Sequence, residues 1–423
     1  SAISKAKNLR VIARTSVMHY KGSTAGIAEI GRSLGVSSIM QGSVLKAGDK
    51  VRITVQLIDA RTEEHMWGAK YDREMDNIFA IQDNIAQRVT KALKVRLAKG
   101  GAKHKPTGDI DAYTHYLRGR RILYERTESN IKAAKRQFEL AIEKDPNYAK
   151  AYAGLADAHY LAGYYHFAAV SESYSEAKKQ TAKALALDED LAEAHATIGV
   201  IKDHYDYDFR GAEDSFRKAI YLNPSYAQAH HWYSVTLLSM GRCEEALVEL
   251  DKANEGDPLS PIIRVVKGNA LYYSGREDEA VREWQAIEES NPTFPGLYWQ
   301  RAFYHMDALQ EKMADVDIEK WFRLSGGNQE WLGFLKGYLD ARFGRRDAAL
   351  RAVRELESAS RFPQFVAHIY AAMGDDSRFF EWADKCVQER NFEIIAVRYM
   401  KTYEQIRKDE RYSNLLTKIG VDG

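Results

Sequence analysis

The chain has 423 residues, 45% of them apolar, with 61 basic against 60 acidic side chains, enough for more than one compact unit with an ordinary core. No apolar run approaches the roughly 18 residues that a membrane span needs. Two cysteines, Cys243 and Cys386, are too few for a disulfide framework or a zinc site, so the expected setting is a reducing, cytoplasmic one with no membrane segment in this stretch. The balanced total hides a division: residues 1–105 carry 19 basic and 9 acidic side chains, and the remainder carries 42 and 51.

The chain opens on Ser1 without a charged-then-apolar leader, and Ala2-Ile3-Ser4 reads as the end of a helix, so the expectation is a portion of something longer. Leu9, Val11 and Ile12 form an apolar run fit for a strand. Thr24 then caps a helix carrying Ile27, Ile30 and Leu34, which Gly35 stops. A strand over Ser38–Leu45 turns through Ala47-Gly48-Asp49 into Val51, Ile53, Val55 and Leu57, alternating with Arg52, Thr54, Gln56 and Ile58. A further strand over Glu64–Tyr71 and a helix from about Asp76 to Ala98 complete a β-α-β-β-β-α order. Arg52, Gln56 and Trp67 are exposed-face candidates, and cross-strand packing explains them at least as well. The Gly22–Gly26 loop has neither the lysine of a phosphate loop nor dinucleotide-type glycine spacing, and reads as a turn.

From Arg88 to Lys105 seven basic residues follow one another with no acid between them, and Gly100-Gly101 and Pro106 mark a boundary. A basic run can hold nucleic acid, but no aromatic residues interleave this one as a stacking platform requires. Nucleic-acid binding through residues 88–105 is therefore a minor alternative.

Beyond residue 109 one pattern recurs at a step of 34 residues: Ala212, Phe216, Ala219, Pro224; then Ala246, Leu250, Ala253, Pro258; then Ala280, Trp284, Ile287, Pro292. Small residues let one helix lie close on its neighbour. Asn223-Pro224, Asp257-Pro258 and Asn291-Pro292 end helices, because proline cannot continue them. This is the signature of the tetratricopeptide repeat, a helical hairpin stacked on its neighbours into a solenoid. Units also fit about Asp111–Pro146, from Tyr148 with an insertion around Gly163–Ser171, from Leu191 with Gly199 as its small contact, and over Gly296–Ser325, Gln329–Ala359 and Val366–Arg390. After Glu393, Ile406, Leu415, Leu416 and Ile419 read as a cap.

The run Val11–Met18, Gly42-Ser43-Val44, Val51–Asp59, Trp67 and Tyr71-Asp72-Arg73 resemble the small domain, related to the amino-terminal domain of TolB, that precedes tetratricopeptide repeats in bacterial signalling proteins. Asp145-Pro146-Asn147-Tyr148-Ala149, Leu191–Ala196, Ala229–Tyr233 and Asp257–Ser260 resemble the repeats of that family, as does Ile406–Tyr412, with Glu410 where proline is common. The resemblance implies an upstream adenylate cyclase, winged-helix or kinase domain. The module's usual first strand and helix are missing, which leaves a sheet edge and the expectation of a homo-oligomer through the amino-terminal domain.

The expected fold class is mainly α: a small α+β domain over 1–105, then an α-α superhelical solenoid over 109–423 with a carboxy-terminal cap. The geometry of such solenoids puts the first helix of each pair on the concave wall. Asp157, Tyr160, Asp203, His204, Gln228, His231, Asn269, Tyr272, Tyr273, Trp299 and Phe303 then line it, an aromatic wall with polar groups suited to a protein or peptide. The histidines at 159, 166, 195, 204, 230 and 231 fall on separate hairpins without an HExxH pair, so no metal is expected. Nucleophile-base-acid sets, Walker loops and kinase motifs are missing too, so neither catalysis nor a cofactor is expected. The reading is a non-catalytic sensor or scaffold region acting on an attached effector. The alternative is a small-molecule receptor or enzyme site between the two units, near Trp67 and Tyr113.

Overall fold

The computed structural model describes residues 9–48, 50–74, 78–93, 107–359 and 362–421. The helix end read at Ala2–Ser4, most of the basic stretch after Lys91, and with it the boundary between the two units lie outside the described residues.

The amino-terminal unit begins with a short helix, α1 (Arg14–Met18), followed by α2 (Ile27–Leu34). Gly35 ends α2 in the left-handed region at φ 62°, a conformation that only glycine adopts at little cost. Strands β1 (Ser38–Ala47), β2 (Lys50–Asp59) and β3 (His65–Glu74) form an antiparallel sheet in that order, and α3 (Ile78–Ala92) follows. Val51, Ile53 and Val55 pack with Ile81, Ile85, Trp67 and Tyr71 into the core of this unit. Leu57 and Ile58 are both buried, where strict alternation places Ile58 outside; the register shift at this point falls in β3, where Trp67 faces Leu57 and His65 faces Ile58. Arg52 lies opposite Asp72 and bonds it at 2.6 Å across half-exposed side chains, so it serves the sheet. Met40, Val44 and Leu45 leave edge strand β1 apolar and exposed.

Two expectations for this unit need correction. The helix cap is Gly26, without a side-chain bond, and not Thr24. The apolar run at Leu9–Ile12 is no strand either; it leads into α1 and lies along the solenoid, not the sheet. The Ala13 amide donates to the Gly256 carbonyl at 2.7 Å, and Ser225 Oγ donates to the Leu9 carbonyl at 3.3 Å. Thr15 and Ser16 both donate to the Asp257 carboxylate, and Ser16 Oγ accepts the Leu259 amide at 3.0 Å. A short apolar run is equally fit for either environment, and these polar partners decide between them.

Eight helical hairpins follow among the described residues. They are α4 (Ile110–Leu123) with α5 (Glu128–Lys144), α6 (Ala149–Tyr164) with α7 (Val170–Leu187), α8 (Ala192–Ile201) with α9 (Phe209–Leu222), and α10 (Ala227–Ser239) with α11 (Cys243–Gly256). Then come α12 (Pro261–Tyr273) with α13 (Glu277–Ser290), α14 (Pro295–Asp307) with α15 (Glu311–Leu324), α16 (Gln329–Arg342) with α17 (Arg346–Ala359), and α18 (Pro363–Ala372) with α19 (Asp376–Gln388). The helices before Pro224, Pro258 and Pro292 stop where the Asn-Pro and Asp-Pro pairs require. Ala212, Ala246 and Ala280 have no exposed surface. Within a hairpin the close approach is a glycine against a ring: a Cβ at Gly199 would stand 2.8 Å from the Phe216 ring. One apolar core then runs from Leu123 to Ile419. The chain is an α solenoid of tetratricopeptide repeats after a small α+β unit.

Two features depart from a simple open stack. The loop between α6 and α7, read as an insertion, carries His166 in the left-handed region and reaches the far end of the solenoid. There His166 Nε2 meets Gln364 Nε2 at 3.2 Å and Glu393 at 3.4 Å, with its ring 5.5 Å from Phe362 and 6.0 Å from Trp331. After α19 the chain also turns inward, through short 3-10 turns at Phe392–Arg398, Lys401–Tyr403 and Ile406–Lys408, before α20 (Arg411–Lys418).

Candidate functional site

The first helices of the pairs converge by their carboxy-terminal ends on this inward segment. Phe392 stacks on His204 at 4.5 Å and on Tyr164 at 4.9 Å. Arg398 donates to the carbonyls of Ser239 and, at 3.1 Å, Met240, the last carbonyls of α10, where a cation is favoured by the helix dipole. Tyr399 meets Tyr273 edge-on at 4.9 Å, and Lys401 Nζ lies 4.4 Å over the Tyr272 ring. Thr402 bonds Tyr338, and Tyr207 donates to the Asn391 carbonyl at 3.1 Å. Ile394, Ile395, Val397, Tyr403 and Ile406 are buried in the process.

Sequence periodicity placed eleven residues on this wall. Seven of them are buried: Asp157, Tyr160, Asp203, His204, His231, Tyr272 and Phe303. Gln228, Asn269, Tyr273 and Trp299 are half-buried. His204, Tyr272 and Tyr273 touch the inward segment directly. Trp299 and Phe303 instead join an aromatic cluster, with Trp321 and Trp331 each 5.1 Å from the Trp299 ring and Tyr338 5.4 Å from Phe303. Gln228 turns to His231 at 3.4 Å. Tyr164, Phe392, Arg398 and Tyr399 were missed. Tyr164 lies beside the insertion, and the other three belong to a stretch read only as part of a cap.

The buried polar members are held by partners from neighbouring hairpins. Asp157 accepts from Arg120 and from Thr197 Oγ1, both at 2.6 Å. Burial pushes its carboxyl up from the usual range, and the Arg120 guanidinium opposes that. Thr197→Val keeps the shape but takes one donor from this buried carboxylate, so it is expected to cost about 1–3 kcal/mol, read as a lower urea midpoint.

Asp203 and His204 sit on a π-helical turn, Lys202–Asp206, and Tyr207 closes it in the left-handed region. Asp203 accepts from Thr236, and its second oxygen has no hydrogen-bond partner. Burial pushes its carboxyl to about 7 against the Thr236 bond and the Arg398 charge. Tyr160 meets His204 Nδ1 at 3.2 Å. Burial pushes His204 down to about 3, and pushes His231 to about 3 with help from the Arg126 charge.

Nothing in this arrangement pairs a nucleophile with a base at an accessible position. Among the described residues no group of three or more His, Cys, Asp or Glu stands close enough to hold a metal ion. No helix among them is long and apolar enough to cross a membrane. Hydrogen bonds between the two units join residues 9–16 to 225–259, a different set of residues from the alternative site expected near Trp67 and Tyr113. A surface cleft of about 280 Å³ between α11, α12 and α13 is lined by the pairs Asp251–Lys267 and Arg276–Glu279, whose charges cancel.

No protein-family model matches the chain. It is similar to a Rhizobium meliloti protein that carries the name adenylate cyclase 3, 36% identical over 157 residues, which are 36% of this chain and 27% of that protein. It is also similar to the transcriptional regulator HilA of Salmonella typhimurium, 25% identical over 41% of this chain and 31% of that one. The chain thus spans less than a third of the length of either relative. Among solved structures, a tetratricopeptide repeat protein from Parabacteroides merdae is 16% identical over 62% of this chain and 99% of its own, with a TM-score of 0.42.

Proposed function

We propose that the chain is a non-catalytic interaction region that binds a protein or peptide along the inner, first-helix face of its repeats and so modulates an effector in a longer signalling protein. The observation that carries this reading is the inner face itself. It already receives an irregular stretch of polypeptide, and does so through aromatic stacking, main-chain carbonyls and buried apolar positions, which are the contacts a peptide ligand would use. The eleven wall residues are its proposed partner-binding set, with the half-buried Gln228, Asn269, Tyr273 and Trp299 as the accessible members.

The names of two relatives, an adenylate cyclase and a transcriptional regulator, support an output in signalling. The docking of residues 9–16 on Asp257 supports a route by which a change in the solenoid reaches the small unit, which we take to be the TolB-like module. Free Cys243 and Cys386 suit a reducing compartment. Selection of a random peptide library on the immobilised full chain tests the proposal. Enriched peptides should bind with micromolar affinity and lose about tenfold or more when Gln228→Ala and Asn269→Ala are combined, a loss of about 1.4 kcal/mol. No enrichment, or equal binding by that variant, overturns the reading.

A further inference from the structure

We propose that the segment Phe392–Lys401 is a built-in competitor for the inner face, and that the partner is a peptide of the same chemistry: an aromatic residue, then arginine-tyrosine six and seven positions on, and lysine two positions later. This rests on the function proposed above and names the partner class for that site.

Each element of the pattern has a receiving group. The aromatic residue packs against Tyr164 and His204 together: their rings are 5.5 Å apart and 27° from parallel, and Phe392 completes a triangle of rings at 4.9 Å from the first and 4.5 Å from the second. The arginine reaches the two final carbonyls of α10, a charge-assisted arrangement that lysine cannot reproduce with two donors in one plane. The tyrosine meets Tyr273, and the lysine lies over the Tyr272 ring. Behind that ring Asp307, held by the Tyr272 hydroxyl at 3.1 Å, supplies the negative charge.

The segment is not a ninth repeat. It forms 3-10 turns, a geometry that runs only a few residues before giving way, and it contains no helix of the repeat's length. Its entry is a sharp turn at Arg390, in the left-handed region at φ 56°. Lys401, the last residue of the pattern, keeps 54% of its side chain exposed, so its contact with the Tyr272 ring is the one an incoming peptide reaches first. A tethered segment competes at an effective concentration of roughly millimolar, so an incoming peptide with the same contacts displaces it once abundant or once the tethered copy is weakened. Displacement frees Asn391 and Glu393 from their contacts with Gln364 and His166, and so removes one of the contacts, Glu393 to His166, that hold the α6–α7 loop at the far end of the solenoid.

The test is fluorescence anisotropy with a fluorescein-labelled synthetic peptide of residues 390–404, titrated with the full chain and with its Arg398→Ala and Lys401→Ala variants, each first checked for native circular dichroism. Both variants should bind the peptide more tightly than the unchanged chain, Arg398→Ala by tenfold or more. Hydrogen exchange on the unchanged chain at saturating peptide should show residues 392–403 losing protection. Lys401→Ala removes a side chain that is more than half exposed, so it keeps the test decisive if Arg398→Ala fails to fold.

Equal affinity in a folded variant, or bound peptide with the segment still protected, overturns the competitor while leaving the scaffold reading intact if library peptides bind and depend on Asn269. If no peptide binds the chain or either variant, both proposals fall together.

Discussion

Asp203→Asn is expected to raise stability at pH 8 by up to about 4 kcal/mol and to change it little at pH 4. The carboxyl has no exposed surface, and burial holds its proton to about 7 against an ordinary value of 3.8. Because the folded value is the higher one, the stabilising contribution is complete below pH 4. It is lost as pH rises to 7, where the unfolded chain has ionised and the folded chain resists. Asparagine cannot ionise, so the variant escapes that loss.

His204 and His231 work in the opposite sense. Burial pushes both to about 3, so the stability they hold is complete above about 6.5 and falls away as the solution is acidified toward 3. In the unchanged chain the gain from Asp203 on acidification offsets part of the loss from buried histidines such as these two, and the variant, without that gain, should lose more stability on acidification. Urea midpoints at pH 4, 5.5 and 8 measure this. A difference between the two proteins that is the same at all three would show that Asp203 titrates normally.

Arg301→Ala is expected to cost about 3–5 kcal/mol, read as a fall in urea midpoint, because it strands a buried carboxylate. Arg301 grips Asp317 with two parallel bonds of 2.7 and 2.8 Å and reaches Glu288 at 2.6 Å, tying α13, α14 and α15 together. Asp317 is 1% exposed, and its remaining neighbour is His305 at 3.5 Å, which burial keeps below its ordinary pKa. Replacing both partners at once, Arg301→Met with Asp317→Leu, should recover most of the loss, since neither charge is then left alone. A single-variant cost under about 1 kcal/mol would mean that water reaches the carboxylate and replaces the guanidinium.

The repeats were legible because their signal is local and periodic. Alanines at 212, 246 and 280, the prolines at 224, 258 and 292, and Gly199 facing Phe216 each mark a place where two helices touch or one ends. Leu9–Ile12 was not legible in that way. What makes it lie along the solenoid is Asp257, some 240 residues further on, and no pattern within the run records that.

The candidate site shows the same limit. Position within a repeat gives residues such as Asp203 and Tyr272 an inward direction. Whether solvent or polypeptide fills the space in front of them depends on Phe392–Tyr403, whose apolar residues follow neither a repeat nor a clean helical period. The π-turn at Lys202–Asp206 adds a rotation that no 34-residue template contains.

The meeting of His166 with Gln364 and Phe362 changes the mechanics of the molecule. Most tandem arrays stretch and fray like springs, each module answering only to its neighbours. Here the second hairpin's loop is buckled to the eighth hairpin across 198 residues, so tension that pulls the repeats between them apart must first break that clasp. Rupture should come as one abrupt event instead of unit-by-unit peeling, and the buckle, as a contact of high sequence separation, should fasten late when the chain folds.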